Sequence, residues 1–146
     1  MNKPASDKQM NTAAVIDLIR QGYDLEELSR KVRMPSLPDC LNEMMEKRNL
    51  SVAVTAGKAD VNKTTLYNIM AQRKAPSRNL LIRIAFALEM SLDETQVLLK
   101  SGNCAALSGL RKRDVFILAG IISKKTFDEV DDTLTENGFP GLYSRG

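Results

Sequence analysis

The sequence predicts an all-α protein, and three observations carry that reading. Apolar residues recur at three- and four-residue spacing, helix-start boxes are frequent, and no long stretch alternates with period two. No Asn-Gly or Asp-Gly turn joins two alternating runs, so β-hairpins are not expected.

The elements follow in order. Val15, Leu18 and Ile19 make a short apolar face and predict a helix over about 10–21. Asp24-Leu25-Glu26-Glu27 is an Asp-headed capping box that opens a helix over about 25–33. Leu41, Met44 and Met45 mark one over about 38–48. Ser51 can cap a helix over about 51–59, Asp60-Val61 is a tight turn, and Asn62 caps a helix over about 62–71. Leu80, Leu81, Ile84, Ala85 and Leu88 predict a helix over about 78–89. Ser91-Leu92-Asp93-Glu94 and Thr126-Phe127-Asp128-Glu129 are full capping boxes for helices over about 92–101 and 127–136. Between them a helix over about 112–124 carries the longest apolar run, Val115 to Ile122. Gly102-Asn103 and Asn137-Gly138 read as left-handed stops.

An internal repeat underlies the second half. A shift of 35 residues lays Arg78-Asn79-Leu80-Leu81-Ile82 on Arg113-Asp114-Val115-Phe116-Ile117, one capping box on the other, and Leu107 on Leu142. The stop slips by one residue, because Gly102 falls on Asn137. Val15 to Val32 reads as a weaker third copy, although capped helix hairpins also resemble one another without any repeat. The chain lacks Gly/Ser/Pro-rich linkers and so predicts one continuous helical body.

Composition narrows the function. The 146 residues are 43% hydrophobic and 27% charged, an ordinary globular balance. There is no His, which excludes His-based acid–base catalysis, Ser–His and Cys–His nucleophiles, and imidazole zinc sites. Cys40 and Cys104 form no C-x-x-C and are expected to pack as small apolar side chains in a reducing compartment. The eight-residue apolar run is too short to span a bilayer and the N-terminus has no secretory core, so the expected location is cytoplasmic. No Gly-rich phosphate loop or metal-ligand cluster is legible, so neither catalysis, metal nor cofactor is expected. Asp128, Glu129, Asp131 and Asp132 read as a helix N-terminus with solvated acids rather than a divalent-metal patch.

The formal charge is only +3, yet it is uneven. Lys47, Arg48, Lys58, Lys63, Arg73 and Lys74 face Asp60 alone, which gives +5 there and −2 elsewhere. Such a segment suits phosphate-backbone binding, and equally a solvated face. The later cluster Arg111-Lys112-Arg113 is offset by Asp114 and the acids that follow. Within the basic segment, two short helices meet at Asp60-Val61, with Ala56, Val61, Leu66 and Ile69 placed to pack across the turn. That spacing argues a helix-turn-helix.

The residues from Leu41 to Leu99 resemble the XRE/Cro-type, lambda-repressor-like DNA-binding domain over about 60 of the 146 residues. The likeness rests on Val61, Leu66, Ile69, Pro76 and the Ala-x-x-x-Ser-Leu-Asp-Glu run that begins at Ala87. It implies a five-helix domain over 37–103, flanked by a helical pair over 1–36 and another over 104–146 packed on the domain before it. It also implies a sequence-specific transcriptional regulator that binds double-stranded DNA with its third helix, about 62–71, in the major groove. Carried over by position, Asn62, Lys63 and Thr64 lie at the head of that helix, with Tyr67 and Asn68 one turn on. Ser51 heads the second helix near the DNA backbone, and Arg73 and Lys74 suit phosphate contact. Asn68 has the chemistry for a bidentate pair with adenine, and Lys63 for guanine or phosphate. Family members commonly dimerise, and Val115–Ile122 is the candidate pairing helix.

Four positions depart from the family: Val52 for its Gln, Asp60 and Gln72 for its Gly, and Thr55 for its Leu. They leave a second class open, a protein-interaction module (adaptor or antitoxin-like) on a helix-turn-helix scaffold with weakened DNA affinity and a protein partner.

Overall fold

The computed structural model describes residues 12–144. Among the described residues there are nine helices and no strand: α1 (Thr12–Arg20), α2 (Leu25–Lys31), α3 (Leu37–Arg48), α4 (Val52–Ala59), α5 (Lys63–Met70), α6 (Arg78–Ala87), α7 (Leu92–Ser101), α8 (Lys112–Ile122) and α9 (Phe127–Glu136). Their ends fall within a residue or two of the expected ones, and the expected first residues of α1, 10 and 11, lie outside the described residues. No helix among the described residues is long and apolar enough to cross a membrane.

The agreement follows from local chemistry. Asp24, Ser36, Ser51, Asn62, Ser77, Ser91 and Thr126 each accept a first-turn backbone N–H through the side chain, filling donors that the helix cannot use. Only α8 among these later helices starts without such a bond, at Arg111. Eight helices close on a left-handed residue: Gly22, Asn49, Asp60, Gln72, Glu89, Asn103, Lys124 and Gly138. The next residue then reaches back over the last turn, as in Val61 N to Ala56 O at 2.9 Å and Lys125 N to Gly120 O at 2.9 Å. The stop expected at Gly102 is therefore Asn103, at φ 59°, while Gly102 remains at φ −92°. Asn103 and Gly138 stand 35 residues apart, so the slip in the repeat disappears.

The chain divides into two compact units, Met1–Pro35 and Ser36–Gly146, where the sequence suggested one continuous body. The physical reason lies in α1, which has no buried residue, and α2, which buries only Leu28. In this unit Lys31 ties the α2 surface together, donating to Tyr23 at 2.8 Å and pairing with Glu27 at 3.3 Å.

The second unit has one core. Leu41, Leu66, Ile69, Leu81, Ile84, Leu98, Leu99, Ile117, Leu134 and Leu142 are all removed from water, so α3 through α9 share a single interior. α4 packs on α5 and α6, α3 on α5 and α7, and α8 on α9. Gly120 permits the last approach, since a Cβ there would overlap the Val130 side chain.

The repeat is written in hydrogen bonds. Arg78 donates from Nε to Ala105 O at 2.9 Å and from Nη2 to Ala106 O at 3.2 Å. Thirty-five residues on, Arg113 donates from Nε to Pro140 O at 2.9 Å and from Nη2 to Gly141 O at 3.0 Å. Leu107 N donates to Gln96 at 2.7 Å, and Leu142 N donates to Asp131 at 2.6 Å. The copies also exchange partners, because Arg78 reaches Asp114 while Arg113 reaches Asn79. α6 packs on α9 and α7 on α8, the pattern of a pseudo-two-fold pair. Val15–Val32 supplies a helix pair but no such latch among the described residues.

Candidate nucleic-acid interface

The candidate site is built on α4, the turn, and α5. On α4, Thr55, Ala56 and Ala59 point inward, Val52 is half-buried against the core, and Ala53, Val54, Gly57 and Lys58 face water. Asp60 adopts the left-handed conformation at φ 54°, and Gln72 does the same after α5 at φ 61°. These are the two positions where the resembled family carries Gly, so the backbone is kept at a cost of about 1–2 kcal/mol each. The C-terminal segment braces this turn. Arg83 donates from Nε to Ala59 O at 3.2 Å and from Nη1 to Leu142 O at 2.7 Å, with its guanidinium 4.8 Å from the Tyr143 ring centre. Burial, then the carboxylates of Asp60 and Asp128, push the Tyr143 phenol up to about 12.

The expected site residues fall as follows. Ser51 is the N-cap of α4 and accepts from Val54 N at 3.1 Å. Asn62 caps α5, its Oδ1 accepting from Thr64 N at 2.8 Å and Thr65 N at 3.4 Å. Lys63, Thr64 and Tyr67 are exposed on α5, whose opposite side buries Leu66 and Ile69. Asn68 is half-buried. Lys74 is exposed in the loop after α5.

Arg73 is placed differently from the free phosphate contact expected of it. The left-handed Gln72 turns the chain back, Arg73 N donates to Asn68 O at 2.8 Å, and the guanidinium closes on the Asn68 side chain. Its Nε and Nη2 donate to Asn68 Oδ1 at 3.2 and 3.1 Å. No sequence spacing signals this pair, because it depends on the conformation of Gln72.

The electrostatics are narrower than the sequence suggested. Lys47 lies 2.9 Å from Glu94 of α7, and Arg48 donates to Glu89 O at 2.8 Å in the turn between α6 and α7, with Glu94 3.9 Å away. Burial alone would raise the Glu94 carboxyl, but the Ser91 N–H and Lys47 hold it below its usual value. Lys58, Lys63, Arg73 and Lys74 remain exposed. α4 and α5 begin with no acid in the first turn, unlike α7 and α9, so their N-terminal dipoles stay open to an anion.

The acids read as solvated are mostly engaged. Asp131 holds Leu142 N, Glu129 completes its capping box, and Asp128 receives the Tyr143 hydroxyl at 3.4 Å. No cluster of metal-ligating side chains occurs among the described residues. Cys40 is buried, its thiol pushed by burial up to about 11, whereas Cys104 is half-exposed.

One groove of about 230 Å³ lies between α8 and α9, lined by Phe116, Ala119, Ser123, Lys125, Glu129 and Thr133 among others. Thirty-five residues earlier stand Leu81, Ile84, Leu88, Met90, Glu94 and Leu98, of which all but Glu94 are core residues. The face that carries α3 and α4 in the first copy is thus small and polar in the second, as at the outer end of a repeat array. No family model, curated protein or solved structure matches this chain.

Proposed function

We propose that this protein is a sequence-specific DNA-binding transcriptional regulator of the XRE type, with a lambda-repressor-like domain whose α5 lies in the major groove. The observation that carries the reading is α5 itself. It is a short helix anchored by Leu66 and Ile69 against α4, with Lys63, Thr64 and Tyr67 outward and no acid in its first turn. Lys63, Thr64, Tyr67 and Asn68 face base edges, while Ser51, Asn62 and Lys74 lie where the duplex backbone passes.

Titration of a selected duplex against salt tests this. Binding falls log-linearly with salt, at a slope of about −0.9 per phosphate neutralised. Lys63→Ala costs about 1–3 kcal/mol of specific binding. Salt-independent or absent binding, or a Lys63→Ala protein that binds as wild type does, removes the reading and favours the interaction-module alternative.

α8 supports a homodimer in the same reading. Val115 and Ile122 are seven residues apart on one helix face and are 46% and 69% exposed. One recognition helix covers one half-site, and a second copy supplies the other. Sedimentation that gives a monomer at tens of micromolar with the duplex present would remove the dimer and leave the DNA reading standing.

A further inference from the structure

We propose that α5 reads guanine rather than adenine, because the carboxamide oxygens at its head and on its reading face are already filled from within the protein. The inference rests on the DNA-binding reading above and specifies the base it recognises. A bidentate Asn–adenine pair needs the amide oxygen to accept from adenine N6 while the amide nitrogen donates to N7. A carboxamide oxygen has two acceptor positions. At Asn68 both are taken by one neighbour, through Arg73 Nε at 3.2 Å and Nη2 at 3.1 Å. At Asn62 both are taken by the helix it caps, through Thr64 N at 2.8 Å and Thr65 N at 3.4 Å.

What remains is a set of donors. Asn68 Nδ2, Arg73 Nη1 and Lys63 Nζ have no partner among the described residues, and the Thr64 and Tyr67 hydroxyls can turn to donate. Guanine offers two adjacent acceptors, O6 and N7, in the major groove; adenine keeps N7 but carries an amino donor in place of O6, and cytosine presents an amino donor. A donor meeting that amino group leaves both unpaired and desolvated, which is the costly arrangement. Arg73 is therefore a positioning residue: it fixes the amide orientation of Asn68 and removes its acceptor.

Selection from a randomised duplex pool, run in parallel for the wild type, Arg73→Ala, Arg73→Lys and Asn68→Ala proteins, tests this. The wild type enriches guanine at a position of each half-site, and exchanging it for adenine weakens binding roughly ten-fold or more. Asn68→Ala loses that preference. Arg73→Ala frees Oδ1 and moves the preference toward adenine, with Arg73→Lys between the two. Arg73 is exposed and Asn68 half-buried, and matched thermal melts show that each variant is folded. A wild type that selects adenine there overturns the proposal, as does an Arg73→Ala protein that loses affinity equally for every duplex. A wild type that selects no duplex fails the DNA-binding reading itself, which separates the two failures.

Discussion

Arg78 and Asp114 form a two-pronged ion pair, Nη1 to Oδ1 at 2.9 Å and Nη2 to Oδ2 at 2.8 Å, with Asp114 only 2% exposed. The carboxylate also accepts from Ser108 N at 3.0 Å, so its charge is met on both oxygens. Asp114→Ala leaves the half-buried guanidinium without its counter-charge and should cost about 3–5 kcal/mol in denaturant unfolding.

The same pair sets an acid limit. Burial alone would raise the Asp114 carboxyl, and the Arg78 guanidinium together with Ser108 N–H more than reverses this, leaving it below its ordinary value. A depressed native pKa means that the unfolded chain binds the proton first. The stabilisation is then full above the unfolded value near 4 and drains away as pH falls through the native one. Thermal melts from pH 7 to pH 2 should show wild type losing stability below about pH 4. Asp114→Asn, less stable at pH 7, should lose less over that interval. Parallel curves for the two proteins would contradict the assignment.

Thr55 offers a gain. It sits in α4 fully removed from water, and its hydroxyl has no hydrogen-bond partner among the described residues. Val has nearly the same shape without the orphaned polar atom, so Thr55→Val should stabilise the fold by about 1–3 kcal/mol. A midpoint in urea that stays put or falls would mean that the hydroxyl is satisfied.

Gly57 offers a smaller one. It lies inside α4, with nothing within 4 Å of where a Cβ would stand. Gly57→Ala restricts the unfolded chain and should add about 0.5–1 kcal/mol. Because Gly57 faces outward beside Lys58, the same variant tests the proposed approach of α4 to a duplex: a methyl that lowers DNA affinity while raising stability places that face against the backbone.

Helix positions were legible because each depends on nearby residues. Ser91 with Glu94, and Thr126 with Glu129, close their boxes within one turn, and the structure contains both bonds in each. The tight turn at Asp60-Val61 was legible for the same reason. Asp114 was not: in sequence it merely offsets Arg111-Lys112-Arg113, and only the meeting of the two repeat copies turns it inward to Arg78. The Asn68–Arg73 pair was hidden too, since neither residue type announces whether its hydrogen-bonding groups face water or each other. Lys47 and Arg48 looked free until α7 brought Glu94 beside them. Local chemistry places the helices, and long-range packing decides which of their polar groups stay available for binding.

Val52 gives the sharpest test of the interface. The resembled family has Gln there, at the start of the second helix, where it contacts the DNA backbone and buttresses the third. In this chain Val52 is half-buried and packed against the core, one residue after the N-cap Ser51. A Gln stem can keep part of that apolar contact while its amide turns toward water and the phosphates. A hydrogen bond to a charged group is worth about 1.5–3 kcal/mol, offset by up to roughly 2 kcal/mol for ordering a long side chain. Val52→Gln should therefore tighten binding to a selected duplex several-fold, leave the preferred bases unchanged, and lower the thermal midpoint by no more than a few degrees. The base preference holds because phosphate contacts set register and carry no sequence information. If affinity stays flat while the midpoint drops, the amide has failed to reach the duplex, and α4 does not approach the backbone as proposed. If affinity rises and the preferred bases change as well, α4 reads the groove directly.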